Sequence, residues 1–464
     1  MVRRSTPVAD RPLRVMPTQH QRADRFRYVG YSLEPARGRV SCHYETAGHA
    51  FTEEFDFGPG GHWDDPTLGA AVRILFLMAG VSYYKTTAAR VVDLGETVST
   101  AADRAFLAEY FVHGLGEFAF RNGLDLRDLR VIGPDAGGSP PVDYVGSTTS
   151  PLIPFGGGID SIVTATALAD RRPSLFVMHP QGHRFDAIEG AVTVSGLPVA
   201  RAGRTLSPLV RRSSELGFFN GHVPVTAIVT AAALVAAVLG GYESVVMSNE
   251  HSASQPTVVD RGHPINHQWS KGVDFERGFG ELVRRSLGTG VPVFSYLRPR
   301  SELWVAQKFA ELDRFHPVFQ SCNRAFHQDP AQRLDHWCGT CDKCCFIDLI
   351  LSPFMDRTAL EAIFGGSEPL ADVGLLDRFR TLLDVGAAPK PFECVGDTAE
   401  CRGAVLLAAE RPDRHDSDVL RALRAEVLAR PDPRPPSATT LLAPMGPHYI
   451  PETYAPPDLL VRAG

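Results

Sequence analysis

Apolar and polar residues alternate in short runs at Phe26 to Tyr31 and Val40 to Tyr44, which predicts a small antiparallel sheet over residues 26 to 58 with Gly48 at a turn. Two stretches of helical spacing follow, Ala70 to Tyr84 and Ala101 to Phe120, before a Gly/Pro-rich segment from Ile132 to Pro141 breaks the pattern. From about residue 150 the rhythm changes. Short apolar runs at Leu152 to Phe155, Leu175 to His179, Ser244 to Ser248 and Val291 to Tyr296 alternate with helical patterns, which predicts βαβ units in a mostly parallel open sheet. Ligands of such sheets sit beyond the carboxyl ends of the strands, and the polar, glycine-rich loops of this chain fall there. The expected organisation is a basic arm over 1–25, an N-terminal α+β domain over 26–145 and a catalytic domain over 146–355. A helical extension over 356–430 and a Pro-rich tail over 431–464 complete it.

The long apolar run Val223 to Gly241 has the length of a membrane span, but it is mostly alanine and contains Pro224, Thr226 and Thr230. A helix buried on both sides, with Pro224 set for its first turn, fits better. The arginines of the first 25 residues are followed by no secretory apolar stretch, so a soluble, cytoplasmic protein is expected. A net charge of -6 gives no global basic field and argues against nucleic acid as a partner. Oligomeric state is not encoded in any pattern here. Lysine is scarce, only Lys85, Lys271, Lys308, Lys343 and Lys390, as if reserved for places where a compact ammonium matters.

The strand Leu152 to Phe155 runs straight into Gly156-Gly157-Gly158-Ile159-Asp160-Ser161 and then into a helical pattern. Three glycines let backbone N–H groups crowd an anion, and the helix adds its positive end, so phosphate is the natural guest. Neither a Gly-Lys-Ser/Thr sequence nor dinucleotide-type glycine spacing is present. The arrangement resembles the PP-loop, Ser-Gly-Gly-x-Asp-Ser, of enzymes that split ATP into AMP and diphosphate, departing from it at Gly156 where that loop has serine. A ligand-free glycine turn is the alternative.

Four of the eight cysteines lie between Cys338 and Cys345, in two overlapping Cys-x-x-Cys spacings, with Cys322 upstream. Clustering of that kind suits a tetrahedral, structural zinc held by Cys322, Cys338, Cys341 and Cys344, with His327, His336 and Cys345 as possible substitutes. A redox dithiol or buried free thiols are the competing reading. Two further loops, Asn249 to Ser254 and Asn266 to Lys271, are dense in groups able to move protons or hold magnesium. Arg298 and Arg324 could clamp a carboxylate or phosphate, or form ordinary salt bridges. Lys85, after Tyr83-Tyr84, is either a substrate contact or a solvated lysine beyond a core helix.

Taken together, Pro154 to Ser161, Met247 to Ser254, Asn266 to Lys271, Ser321 to His327 and Cys338 to Cys344 resemble the UDP-N-acetylmuramoyl-L-alanyl-L-glutamate epimerase family, MurL. The resemblance implies a PP-loop ATP pyrophosphatase core and a role in peptidoglycan precursor synthesis. The terminal L-glutamate of a UDP-muramoyl dipeptide would be adenylated and inverted to D-glutamate within the dipeptide, and hydrolysis of the anhydride would end the sequence, with ATP and Mg2+ consumed and AMP and diphosphate released. Adenylation replaces a free carboxylate by a mixed anhydride, which makes the Cα–H acidic enough to remove. Under it, Gly156, Gly157, Gly158 and Ser161 hold phosphates and Asp160 places magnesium. Lys271 neutralises the α-phosphate, and Glu250, His251 and His267 are candidates for proton transfer. Arg298, Asn323, Arg324 and Lys85 are candidate substrate contacts. The alternatives are another PP-loop enzyme, of the 7-deazaguanine or tRNA-modifying type, and a non-catalytic zinc and nucleotide-binding scaffold. A thiolase would want a reactive cysteine pair, a tRNA enzyme a basic face, and the scaffold would release no diphosphate.

Overall fold

The computed structural model describes residues 21–137, 141–327, 329–386, 390–430 and 436–460. Most of the expected basic arm and the ends of the Pro-rich tail lie outside the described residues. In chain order the strands are β1 (Arg25–Glu34), β2 (Arg39–Thr46), β3 (His49–Asp56), β4 (Val91–Asp93), β5 (Arg130–Ile132) and β6 (Pro151–Pro154). They continue as β7 (Ser174–Pro180), β8 (Val199–Thr205), β9 (Ser244–Met247), β10 (Val258–Asp260), β11 (His263–Ile265) and β12 (Val293–Ser295). Strands β10 and β11 form a separate hairpin.

All the other strands join one sheet in the order β12-β9-β6-β7-β8-β3-β2-β1-β4-β5. The five strands from β12 to β8 are parallel throughout, as the alternation of strand and helix predicts. The expected small N-terminal sheet is corrected: β1, β2 and β3 form an antiparallel arm of the same large sheet, because β3 pairs with the outer edge of β8, Glu54 opposite Thr205. The pairing satisfies backbone groups that an open edge would leave bare, and the buried Arg204–Glu53 ion pair bridges the seam at 2.5 Å.

Successive residues of the parallel strands point to opposite faces and fill two separate cores. Leu152, Phe176 and Val245 enter one, with the helices Leu68–Ala79, Val225–Gly240 and Val273–Leu287. Ile153, Val177 and Val246 enter the other, with the helices Ile159–Ala167, Glu302–Ala310, Asp342–Leu351 and Thr398–Ala408. The alanine-rich run is thus the helix Val225–Gly240, buried along most of its length from Ala227 to Leu239, and among the described residues no helix is long and apolar enough to cross a membrane. The described part of the tail lies against the sheet, where Tyr454 packs on Phe294 and hydrogen bonds with Ser244.

The strand order reverses between β6 and β9: the chain moves from β6 outward to β7 and β8, then crosses back to β9 on the other side. The loops leaving β6 and β9 therefore diverge at their carboxyl ends and open a crevice, the place where sheets of this kind hold ligands.

Candidate active site

The loop after β6 enters that crevice. Gly157 has φ +74°, and a Cβ there would stand 3.1 Å from the Ala187 carbonyl, so only glycine fits without strain. Gly158 caps the helix Ile159–Ala167 in an extended conformation, while Gly156 is exposed. Ser161 donates to the Gly158 carbonyl at 3.2 Å, which stitches the first helical turn. Free backbone donors at a helix start beside a glycine turn make a cradle for an anion.

Asp160, in that first turn, meets Glu250 from the loop after β9 and Glu302 from the start of the helix Glu302–Ala310; oxygens of all three lie within 4.8 Å of one another. Burial, and after it the charge of Glu250, pushes the Asp160 carboxyl up to about 7 against the pull of Lys343 and Lys271. Burial and the same two neighbours, Asp160 and Glu250, raise Glu302 as well. Asp160 Oδ1 and Glu302 Oε2 are buried without a hydrogen-bond partner. Unpaired hard oxygens facing one point fit a divalent cation such as Mg2+.

On the other side of the acids stand two of the five lysines. Burial opposes the charge of Lys271, but Cys394, Glu250, Asp160 and Glu302 together hold its ammonium above the ordinary value. Lys343 donates to the Cys394 carbonyl at 2.6 Å. Sequence reasoning missed Cys394 because no motif surrounds it, and missed Glu302, Glu117 and His222 for the same reason. Cys394 hydrogen bonds to His267, whose Nδ1 is 2.5 Å from Glu117 Oε2. Burial opposes ionisation of this thiol; Lys271, the hydrogen bond and charge of His267, and Lys343 outweigh it and bring it down to about 6. Burial likewise opposes charge on His267, yet Cys394 and Glu117 lift it to about 9. Thiolate and imidazolium thus coexist near neutral pH. Burial and the His267 charge push the adjacent His222 down to about 4.

The four cysteines predicted as a metal set converge: Cys322, Cys338, Cys341 and Cys344 all place sulfur atoms within 4.8 Å of one another. Cys344 Sγ is 3.7 Å from Cys338 Sγ and 3.5 Å from Cys341 Sγ. Four sulfurs at about 2.3 Å from one zinc would be roughly 3.8 Å apart, whereas a disulfide needs about 2.0 Å. The donor set fits zinc. His327 and His336 are exposed, bonded to Asp329 and Asp335 respectively, and Cys345 is buried outside the set.

Other expectations change. Arg298 does not face the crevice: it is 1% exposed, paired with Glu276 at 2.8 Å, and donates to the carbonyls of Glu250 and Lys271. It holds the two site loops together instead of holding substrate. His267 pairs through Nδ1 with Glu117, and Cys394 and Glu117 together hold its ring charged. His251 is half-buried beside Gly446, lowered by burial. Asn323 and Arg324 are exposed on the cysteine loop. Lys85 is buried, not solvated: it donates to Asn220 and to the Gly221 carbonyl, and burial, then Arg204, lowers it to about 8.

Two family models, described as the MurL N-terminal domain and the MurL C-terminal domain, match residues 17–296 and 318–437. The chain belongs to the MurL family. A UDP-N-acetyl-alpha-D-muramoyl-L-alanyl-L-glutamate epimerase of Micromonospora is 40% identical over 94% of this chain and 98% of that protein. Proteins of the same name from Salinispora tropica and Xanthomonas oryzae pv. oryzae are 38% and 37% identical, over 94% and 92% of this chain and 96% and 95% of theirs. No solved structure matches. The candidate site draws on both MurL domains: Glu117, Asp160, Glu250, His267 and Lys271 come from the first, Lys343 and Cys394 from the second.

Proposed function

We propose that this chain converts the terminal L-glutamate of UDP-N-acetylmuramoyl-L-alanyl-L-glutamate to D-glutamate through an adenylated carboxylate, consuming ATP. The observation that carries the reading is the meeting of a glycine-rich anion cradle, three carboxylates and two lysines at the switch point of the sheet, in a chain about as long as its relatives named epimerases. The loop Gly156 to Ser161 is assigned to the PP-loop type, supported by the strand before it, the helix after it and Gly157's turn; Gly156 leaves backbone donors where the PP-loop has a serine hydroxyl.

The glycine loop binds the β- and γ-phosphates, and Lys271 faces charge that develops at the α-phosphate as the glutamate carboxylate attacks. Asp160, Glu250 and Glu302 would hold Mg2+, which supplies positive charge to the leaving diphosphate. Cys322, Cys338, Cys341 and Cys344 would hold zinc, a structural clasp that keeps Lys343 beside the site. Lys85, Asn323 and Arg324 remain candidates for the UDP-muramoyl part. Once the carboxylate is adenylated, the Cα proton is acidic enough to leave; return of a proton to the opposite face, followed by hydrolysis of the mixed anhydride to free AMP, leaves the dipeptide ending in D-glutamate.

The test offers ATP, Mg2+ and the UDP-muramoyl L-Ala-L-Glu or L-Ala-D-Glu dipeptide, follows diphosphate, and then analyses the chirality of the glutamate. Release with the L-isomer and recovery of D-glutamate is the expected result. Absence of release with either isomer would refute the proposal.

A further inference from the structure

We propose that Cys394 is the catalytic base that removes the Cα proton of the adenylated glutamate, with His267 and Glu117 as its positioning residues. The proposal rests on the epimerase reading and names a part of the reaction that the reading leaves open.

The geometry is a relay of three side chains from three distant parts of the chain. Glu117, in the helix Gly116–Arg121, is buried and fixed through its other oxygen by Arg121 Nε at 2.6 Å. It accepts from His267 Nδ1, which turns the remaining ring nitrogen toward the thiol. The His267 backbone is itself anchored, its N–H donating to Thr257. The loop that carries Cys394 is pinned by two ammonium groups, Lys343 on the Cys394 carbonyl and Lys390 on the Gly396 carbonyl, each at 2.6 Å. Asp397 then caps the following helix through the Glu400 N–H. A sulfur held beside an imidazolium and two lysines is the recognised environment of a reactive thiolate.

Elimination among the other candidates points the same way. His267 has no free lone pair, Glu250 belongs to the carboxylate cluster, and His251 sits against Gly446. Cys394 adjoins Lys271, where the acyl-adenylate must form, and unlike Asp160, Glu250 and Glu302 it is not committed to the carboxylate cluster. The groups facing it are Lys271, His267, Lys343 and, farther off, Asp160, with Glu117 and His222 behind the imidazole.

In the step itself the Cα proton passes to Sγ and the C–H electron pair enters the acyl group as an enolate, set against the Lys271 ammonium. A proton of solvent origin is returned to the opposite face, and the thiol gives its proton back to water. No oxidant or reductant is needed. Because the proton that arrives is not the one that left, deuterium from D2O enters Cα during turnover.

The test compares wild type, Cys394→Ala and Cys394→Ser in D2O with ATP, Mg2+ and the L-dipeptide, reading diphosphate release and Cα deuterium separately. Both variants are expected to lose deuterium incorporation by roughly 10²–10⁴-fold, a loss at least tenfold greater than their loss of diphosphate release. Glu117→Gln, which keeps the shape but weakens the imidazolium, moves the acid limb of the wild-type rate profile from near 6 to higher pH. Deuterium incorporation by Cys394→Ala at the wild-type rate overturns the role of the thiol and leaves the epimerase reading standing. Absence of dipeptide-dependent diphosphate release in wild type overturns both.

Discussion

Replacing Arg298 with methionine keeps most of the side-chain volume but strands the carboxylate of Glu276, whose other oxygen accepts from the Ser295 N–H at 3.0 Å. The substitution also strips donors from the carbonyls of Glu250, at 2.7 Å, and Lys271, at 2.5 Å. Arg298 is 1% exposed, so no water replaces these bonds without opening the core. Removing one partner of a buried pair costs about 3–5 kcal/mol. An unfolding entropy of about 2.1 cal/mol/K per residue gives roughly 1 kcal/mol/K for 464 residues. If the chain melts as one unit, calorimetry should show Tm lowered by about 3–5 °C. Arg298→Met with Glu276→Gln removes the stranded charge, so the double variant should regain part of the loss, while the freed loops raise KM for ATP in both. An unchanged Tm in the single variant, or a double variant whose loss equals the sum of the singles, would refute the claim that this ion pair locks the two loops.

Three further outcomes are expected. Asp160→Asn should abolish diphosphate release. The raised Asp160 carboxyl favours folding in its neutral form, so without a divalent cation the wild-type Tm should fall as pH rises through about 7; in Asp160→Asn that slope should flatten, and Mg2+ should remove it in wild type. Cys338→Ser should lose the bound zinc measured by elemental analysis and expose the cysteine loop to protease, with Cys345→Ser retaining the metal. Gly157→Ala should cost on the order of 1–3 kcal/mol in strain and raise KM for ATP far more than it lowers Tm, since its φ is +74° and the Ala187 carbonyl stands in the way.

Much of the fold was legible because strand periodicity is local. The runs at 152, 175, 244 and 291 each became a parallel strand, and the run from Val223 became a buried helix. Pairing between distant strands is not local: the contact of β3 with β8 depends on an edge created far away in sequence, so the N-terminal strands looked like a sheet of their own. The candidate site divides in the same way. Gly156 to Ser161 and the cysteine knuckles announce themselves by spacing, and the four sulfurs do converge. Glu302, Glu117 and Cys394 stand in ordinary-looking sequence, and only folding brings their charges beside Asp160, His267 and Lys271. Arg298 illustrates the opposite error, a cation next to the right loops whose partner, Glu276, is internal.

Glu117 and Cys394 are separated by more than half the chain, and Lys343 lies closer to the thiol than to the acid in sequence. During synthesis the nucleotide loop and the acids emerge long before the cysteine does. Until residues beyond 390 have folded onto the sheet, the growing polypeptide has a phosphate cradle but neither the second lysine's anchor nor the thiol. Closing loops of this length is slow and happens late. With the proposed role of Cys394, a nascent or prematurely ended chain would be incapable of inverting an activated glutamate until the segment beyond residue 390 is in place.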